Sequence, residues 1–290
     1  MLTKMVSVMI GAFVIGGSPA TETARMESPQ ELRDLLAASR GVAAPLCALA
    51  ADGLSSWGGR WEAPAEAIQS DVRARVHERP HGSLSADEAR TLMDGIASAD
   101  ACERHIAATL IGRMGDSTMG HALAARLTAG APTERQAALI ALGLLEPQAE
   151  LGAIVRALRD ETPGVRANAA WALGRLGQRS AVPAVAGVLH DADARVRGAG
   201  VVALGHLHGT DSIQTIINIL KTDPAPEVRR VAAWALGEMA DRSATTALVQ
   251  ALSGDKNEDV REMAAWALAE SNARDAVDAL MTALKGDASD

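Results

Sequence analysis

Arg104, Arg135, Arg166, Arg197, Arg229 and Arg261 stand 31 or 32 residues apart at every interval. Each sits in one recurring segment. Val165-Arg166-Ala167-Asn168-Ala169-Ala170-Trp171-Ala172-Leu173-Gly174 returns from Val196 to Gly205, from Val228 to Gly237 and from Val260 to Ala269, and upstream the stretches Arg104 to Gly112 and Arg135 to Gly143 hold the same register. A period of this length marks a supersecondary unit that cannot bury its apolar face alone, so neighbouring units must stack. Ala and Leu dominate the apolar residues, Tyr is absent and Phe13 is the single phenylalanine. Ala and Leu favour helices, whereas aromatic and β-branched residues favour strands, so the repeat predicts an all-α fold, an α-α superhelix.

Each unit reads as two helices. In the third, helix A is predicted over Pro147 to Leu158 and helix B over Pro163 to Leu176. Four residues before the arginines stand Asp100, Ala131, Thr162, Asp193, Ala225 and Asn257, four of which have a side-chain oxygen for an orphan backbone N–H. Pro132, Pro163 and Pro226 follow at the first helical position, where the missing donor costs nothing.

With this pattern in hand the chain resembles HEAT repeats, in particular the short HEAT-like type named after the phycobilisome lyases. The resemblance runs from about Ser85 to the C-terminus and rests on the core V-R-x-x-A-A-x-A-L-G. It implies a ladder in which an aspartate six residues before each arginine pairs from repeat to repeat. Here those residues are Asp160 and Arg166, Asp191 and Arg197, Asp223 and Arg229, Asp255 and Arg261, while Ser98 and Ala129 take the aspartate's place in the first two repeats. It also implies that helix B lines the concave side. For function it implies little, because one fold hosts many roles.

Three regions follow. Residues 1–20 have the layout of a secretory signal peptide, with Lys4, an apolar stretch from Met5 to Ile15 and the small-residue site Ser18-Pro19-Ala20. Residues 21–84 read as a helical N-terminal cap, beginning with a helix at Ser28-Pro29, and residues 85–290 as the repeat array, closed by a lone helix near Asp275 to Leu284. The expected location is therefore periplasmic or secreted. After signal removal no segment is apolar enough to span a membrane. In an oxidising compartment Cys47 and Cys102, the only cysteines, are permitted one disulfide, the alternative being two buried thiols. A formal charge of −8 with no Lys/Arg block excludes nucleic acid as a partner.

Helix B carries the candidate binding residues. At about 100° per residue, Val165, Ala169, Ala172, Leu173 and Leu176 form the core stripe, and Trp171 falls about 240° round from Val165. Its equivalents are Thr109, Ile140, Val202, Trp234 and Trp266. Either these side chains pack on the helix B of the adjacent repeat, or Ile140, Trp171, Val202, Trp234 and Trp266 form an apolar ladder on the concave face that receives a partner.

Catalytic signals are weak. His77-Glu78-Arg79-Pro80-His81 fits H-E-x-x-H, but Pro80 breaks the helix that would bring both histidines to one zinc ion. His206-Leu207-His208 with Asp211 has the residue types of a loop metal site at the end of helix B, but reads rather as capping of helix carbonyls by exposed histidines. Of the repeat families with enzymatic members, the HEAT-like hydroxylases need several His-Glu pairs where only His77-Glu78 occurs, and export opposes the bilin lyases' pigment-attachment role. The sequence thus predicts a non-catalytic scaffold for a protein or peptide, with no cofactor and no metal. A metal-dependent hydrolase at His77, Glu78 and His81 and a bilin-lyase-like activity are the alternatives.

Overall fold

The structure, a computed structural model, describes residues 29–43 and 84–271 together with Val277 and Met281. All regular structure among them is helical, and these residues fall into two compact units divided after Leu145.

The first unit holds α1 (Pro29–Ser39), α2 (Ala86–Ile96), α3 (Ala101–Met114), α4 (Met119–Ala129) and α5 (Pro132–Leu145). Helices α2 with α3 and α4 with α5 form hairpins, and the B helices α3 and α5 pack side by side. α1 lies on α2 and α3, burying Leu32 and Leu36. A polar clamp holds its end in place. Arg40 donates to both carboxylate oxygens of Glu103 at 2.7 and 2.9 Å, and the Gly41 N–H donates to Asp100 at 2.8 Å. Asp100 also caps α3 by accepting the Glu103 N–H. Cys102, one residue from the clamp's glutamate, is buried and disulfide-bonded.

The second unit holds α6 (Leu151–Ala157), α7 (Pro163–Leu176), α8 (Val182–Gly187), α9 (Ala194–His206), α10 (Ile213–Thr222), α11 (Pro226–Met239), α12 (Thr245–Gly254) and α13 (Glu258–Glu270). Even-numbered A helices each pair with the B helix that follows, and α7, α9, α11 and α13 pack in series. Helix B boundaries fall where the punctuation puts them. Asp193 and Asn257 cap α9 and α13 through their side chains, and Pro163 and Pro226 open α7 and α11.

Helix A differs from the sequence expectation. It does not begin at Pro147: a 3-10 turn at Gln148–Glu150 precedes the α-helix, and the same turn recurs at Arg179–Ala181, Thr210–Ser212 and Arg242–Ala244. The reason lies in how helix B ends. Gly115, Glu146, Gly177, His208 and Ala240, which occupy one repeat position, all have φ between 47° and 67°. A left-handed residue after helix B turns the chain sharply, and the tight 3-10 turn then leads it onto the axis of helix A.

Only two of those five residues are glycine. Left-handed backbone strains any residue with a Cβ. Ala240→Gly is therefore expected to stabilise the protein by about 0.5–1 kcal/mol, read as a raised urea midpoint. A lowered midpoint would show that Ala240 is not strained.

Small residues set the spacing of the B helices. A Cβ built on Gly174 would stand 2.8 Å from Ala203 Cα, and one built on Gly205 would stand 2.9 Å from Cζ3 of Trp234. Gly237 faces Ala267 and the Trp266 ring in the same way.

Candidate functional site

The Arg–Asp ladder runs between repeats. Arg166 grips Asp191 with Nε and Nη2 at 2.7 and 2.8 Å, Arg197 grips Asp223 at 2.7 and 2.8 Å, and Arg229 grips Asp255 at 2.8 and 2.8 Å. Each arginine also donates from Nη1 to the backbone oxygen six residues earlier, so Arg166 reaches Asp160, Arg197 reaches Asp191, Arg229 reaches Asp223 and Arg261 reaches Asp255. Each aspartate in turn accepts the N–H two residues on, as Asp160 does from Thr162 and Asp223 from Ala225. One guanidinium thus joins its own interhelical loop to the next. In the first unit, Arg104 and Arg135 donate to the backbone oxygens of Ser98 and Gly130.

The ladder fixes charge states. The bound Arg166 guanidinium holds Asp191 below the usual carboxylate range, against the opposing effect of burial. At Asp255 burial pushes the carboxyl up most strongly, yet the Arg229 fork and the Asn257 N–H together leave it lowered. Arg166, Arg197 and Arg229 are raised by the same bonds.

Most of the proposed apolar ladder is not a free surface. Ile140 is 7% exposed, Trp171 5%, Val202 5% and Trp234 4%. The 240° direction is a flank rather than the outward pole of the helix. The Trp234 ring lies against Gly205 of the preceding B helix and meets the His206 ring edge-on at 5.1 Å. Arg175 sits 5.9 Å above the Trp171 ring. Trp266 alone of the five is half-buried rather than buried.

Around Trp266 the structure opens a hollow of about 470 Å³, lined by Arg230 of α11 and Asp259, Glu262, Met263 and Trp266 of α13. Residues 259, 262, 263 and 266 fall on one side of α13 by helical spacing, so two carboxylates rim an apolar floor. Sequence reasoning found Trp266 and missed its four companions. The signal was present: α7 and α9 contain no acidic residue, whereas α11 and α13 carry Glu227, Glu238, Glu258, Asp259, Glu262 and Glu270.

His206 does not act as an exposed cap, because its Nε2 is buried and has no hydrogen-bond partner among the described residues. Burial pushes His206 and His105 down to about 4, so both are neutral at pH 7. Both unfold to an ordinary histidine near 6.5, so the unfolded chain binds the extra protons between about pH 6.5 and 4. Stability is therefore expected to fall as pH drops through that window, by on the order of 1–2 kcal/mol per histidine after discounting for partial exposure. Below about pH 4, protonation of Asp191 and Asp255 removes a further contribution. Urea unfolding across pH 4–7 checks this, and His206→Gln should flatten the slope. An unchanged slope in that variant would contradict the assignment.

His77, Glu78, His81 and Cys47 lie outside the described residues, as do residues 1–20. So does most of the predicted final helix, of which Val277 and Met281 are helical and exposed. Among the described residues no group of three His, Cys, Asp or Glu side chains is placed to hold a metal ion, and no helix is long and apolar enough to cross a membrane.

The family profile for HEAT repeats matches residues 120–205, 151–223 and 213–290, together spanning more than half of the chain. The chain belongs to the HEAT-repeat family. Solved structures similar to this HEAT-repeat protein are helical-repeat proteins of low identity. The complex of CpcE and CpcF of phycocyanin lyase from Nostoc sp. is 19% identical, with 93% of this chain and 97% of that chain covered and a TM-score of 0.44. A designed armadillo repeat protein in complex with the peptide (KR)4 is 19% identical over 64% of this chain and 100% of its own, with a TM-score of 0.46. An engineered protein is 20% identical over 64% of this chain and 96% of its own, with a TM-score of 0.43. No curated protein matches the chain in sequence. HEAT-like helical-repeat solenoids are typical protein-binding scaffolds.

Proposed function

We propose that this HEAT-repeat protein is a non-catalytic scaffold, working outside the cytoplasm, that receives a protein or peptide on the α11–α13 surface around Trp266. The observation that carries the reading is the half-buried Trp266 beside Met263 in an open hollow, where the equivalent Trp171 and Trp234 are fully buried. Tryptophan is enriched among interface hot spots, because covering it removes a large apolar area from water. The signal-like residues 1–20 and the bonded Cys102 support an extracytoplasmic, oxidising setting.

Selection of displayed random peptides against the purified protein tests the surface. The expected result is a consensus whose binding Trp266→Ala weakens by about 2 kcal/mol or more, with helicity by circular dichroism unchanged. Enrichment that survives Trp266→Ala, or no enrichment, would contradict the proposal.

A further inference from the structure

The charge around the hollow specifies what it takes. In α7 and α9 the arginines are satisfied: Arg166 and Arg197 are bound in the ladder, Arg195 pairs with Asp193 at 2.7 Å, and Arg175 pairs with Glu146 at 3.2 Å. On α13 the balance is different. Glu258, Asp259, Glu262 and Glu270 are exposed and take part in no ion pair among the described residues. Arg229 and Arg261, the nearest ladder cations, are committed to the carboxylate and the backbone oxygen of Asp255. Among the described residues lining the hollow, Arg230 is the one cation, against two carboxylates. Among the described residues, an excess of negative charge thus stands at the same place as a half-buried tryptophan.

From this coincidence we infer that the hollow binds an extended cationic peptide segment, with an apolar side chain on Trp266 and Met263 and a neighbouring Lys or Arg against Asp259 and Glu262. The inference rests on the scaffold reading above and names its ligand chemistry. An apolar side chain placed on the floor leaves its sequence neighbours at the rim, since side chains alternate in direction along an extended chain. A lysine or arginine there gains Coulomb attraction from two carboxylates and cation–π attraction from the indole. An acidic neighbour would instead meet like charge, which disfavours the wrong partner and enforces selectivity.

The test titrates the full-length protein with three labelled octapeptides, alternating Lys-Leu, alternating Glu-Leu and alternating Ser-Leu. Lys-Leu should bind at least about 10-fold more tightly than Ser-Leu, with Glu-Leu weaker still. Charge neutralisation in Asp259→Asn plus Glu262→Gln should cost about 10-fold for Lys-Leu, leave Ser-Leu unchanged and flatten the salt dependence. These two exposed positions keep the test sound if Trp266→Ala perturbs packing. Equal binding of the three peptides, or an unmoved affinity in the double variant, would overturn the cationic assignment. Peptide selection that yields a neutral or acidic consensus dependent on Trp266 would overturn it too, while leaving the scaffold reading intact. Selection that yields no Trp266-dependent consensus would remove both.

Discussion

Asp223→Ala is expected to cost about 3 kcal/mol of stability, one of the two largest effects of any single substitution considered. The Asp223 side chain is 5% exposed and that of Arg197 13%, so neither charge can recover hydration when its partner leaves. The deletion removes the two-pronged Arg197 bond and the bond from the Ala225 N–H. Arg197 keeps its bonds to the backbone oxygens of Asp191 and Ala192, which anchor it where the missing carboxylate stood. Arg197→Ala should cost a similar amount, and the double variant much less than the sum, giving a coupling energy of about 1.5–3 kcal/mol. Arg197→Lys retains charge but loses the planar fork and should recover less than half of the loss. Urea unfolding followed by circular dichroism measures each value. Additive losses would mean that the ladder is a surface decoration.

Gly174→Val is expected to cost about 3–4 kcal/mol, and Gly174→Ala about 2 kcal/mol. Alanine is the better helix former by ~1 kcal/mol, so propensity alone predicts the opposite sign. Packing outweighs it because the nearest atom to the new Cβ, at 2.8 Å, is the Ala203 Cα, which cannot rotate away. Helices α7 and α9 must separate, loosening the core on both sides. Gly187→Ala is the control, since a Cβ there meets nothing within 4 Å. It should leave stability unchanged or raise it by up to about 1 kcal/mol. Equal responses at the two glycines would show that the B helices are not in close contact at Gly174.

The sequence made the B helices legible because every signal for them is local. Periodic Val-Arg, a cap such as Asp193 or Asn257 and a proline such as Pro163 or Pro226 all act within one turn, and the helices start there. The start of helix A was less legible. The left-handed residue before it is Glu146, His208 or Ala240 in three of the five cases, and those residue types carry no turn signal. The exposure of Trp171, Trp234 and Trp266 was illegible by angle alone. Helical angle separates the core stripe from everything else, but a flank is buried only if the next helix comes close. Trp234 and Trp266 each meet a glycine of the preceding B helix, Gly205 and Gly237. Among the described residues, however, only Trp234's helix also has a following B helix packed on it, and no single-helix projection includes that neighbour. The hollow itself emerges from Arg230 of one repeat facing Asp259 and Glu262 of the next, a pairing that needs the inter-repeat register.

Indole N–H resonances of the full-length protein titrated with the alternating Lys-Leu octapeptide test the central claim most directly, because each tryptophan reports separately on its own surface. The account predicts that the Trp266 signal shifts with saturation, while those of the buried Trp171 and Trp234 hold their positions. A saturable shift of Trp171 or Trp234 with Trp266 unmoved would contradict it.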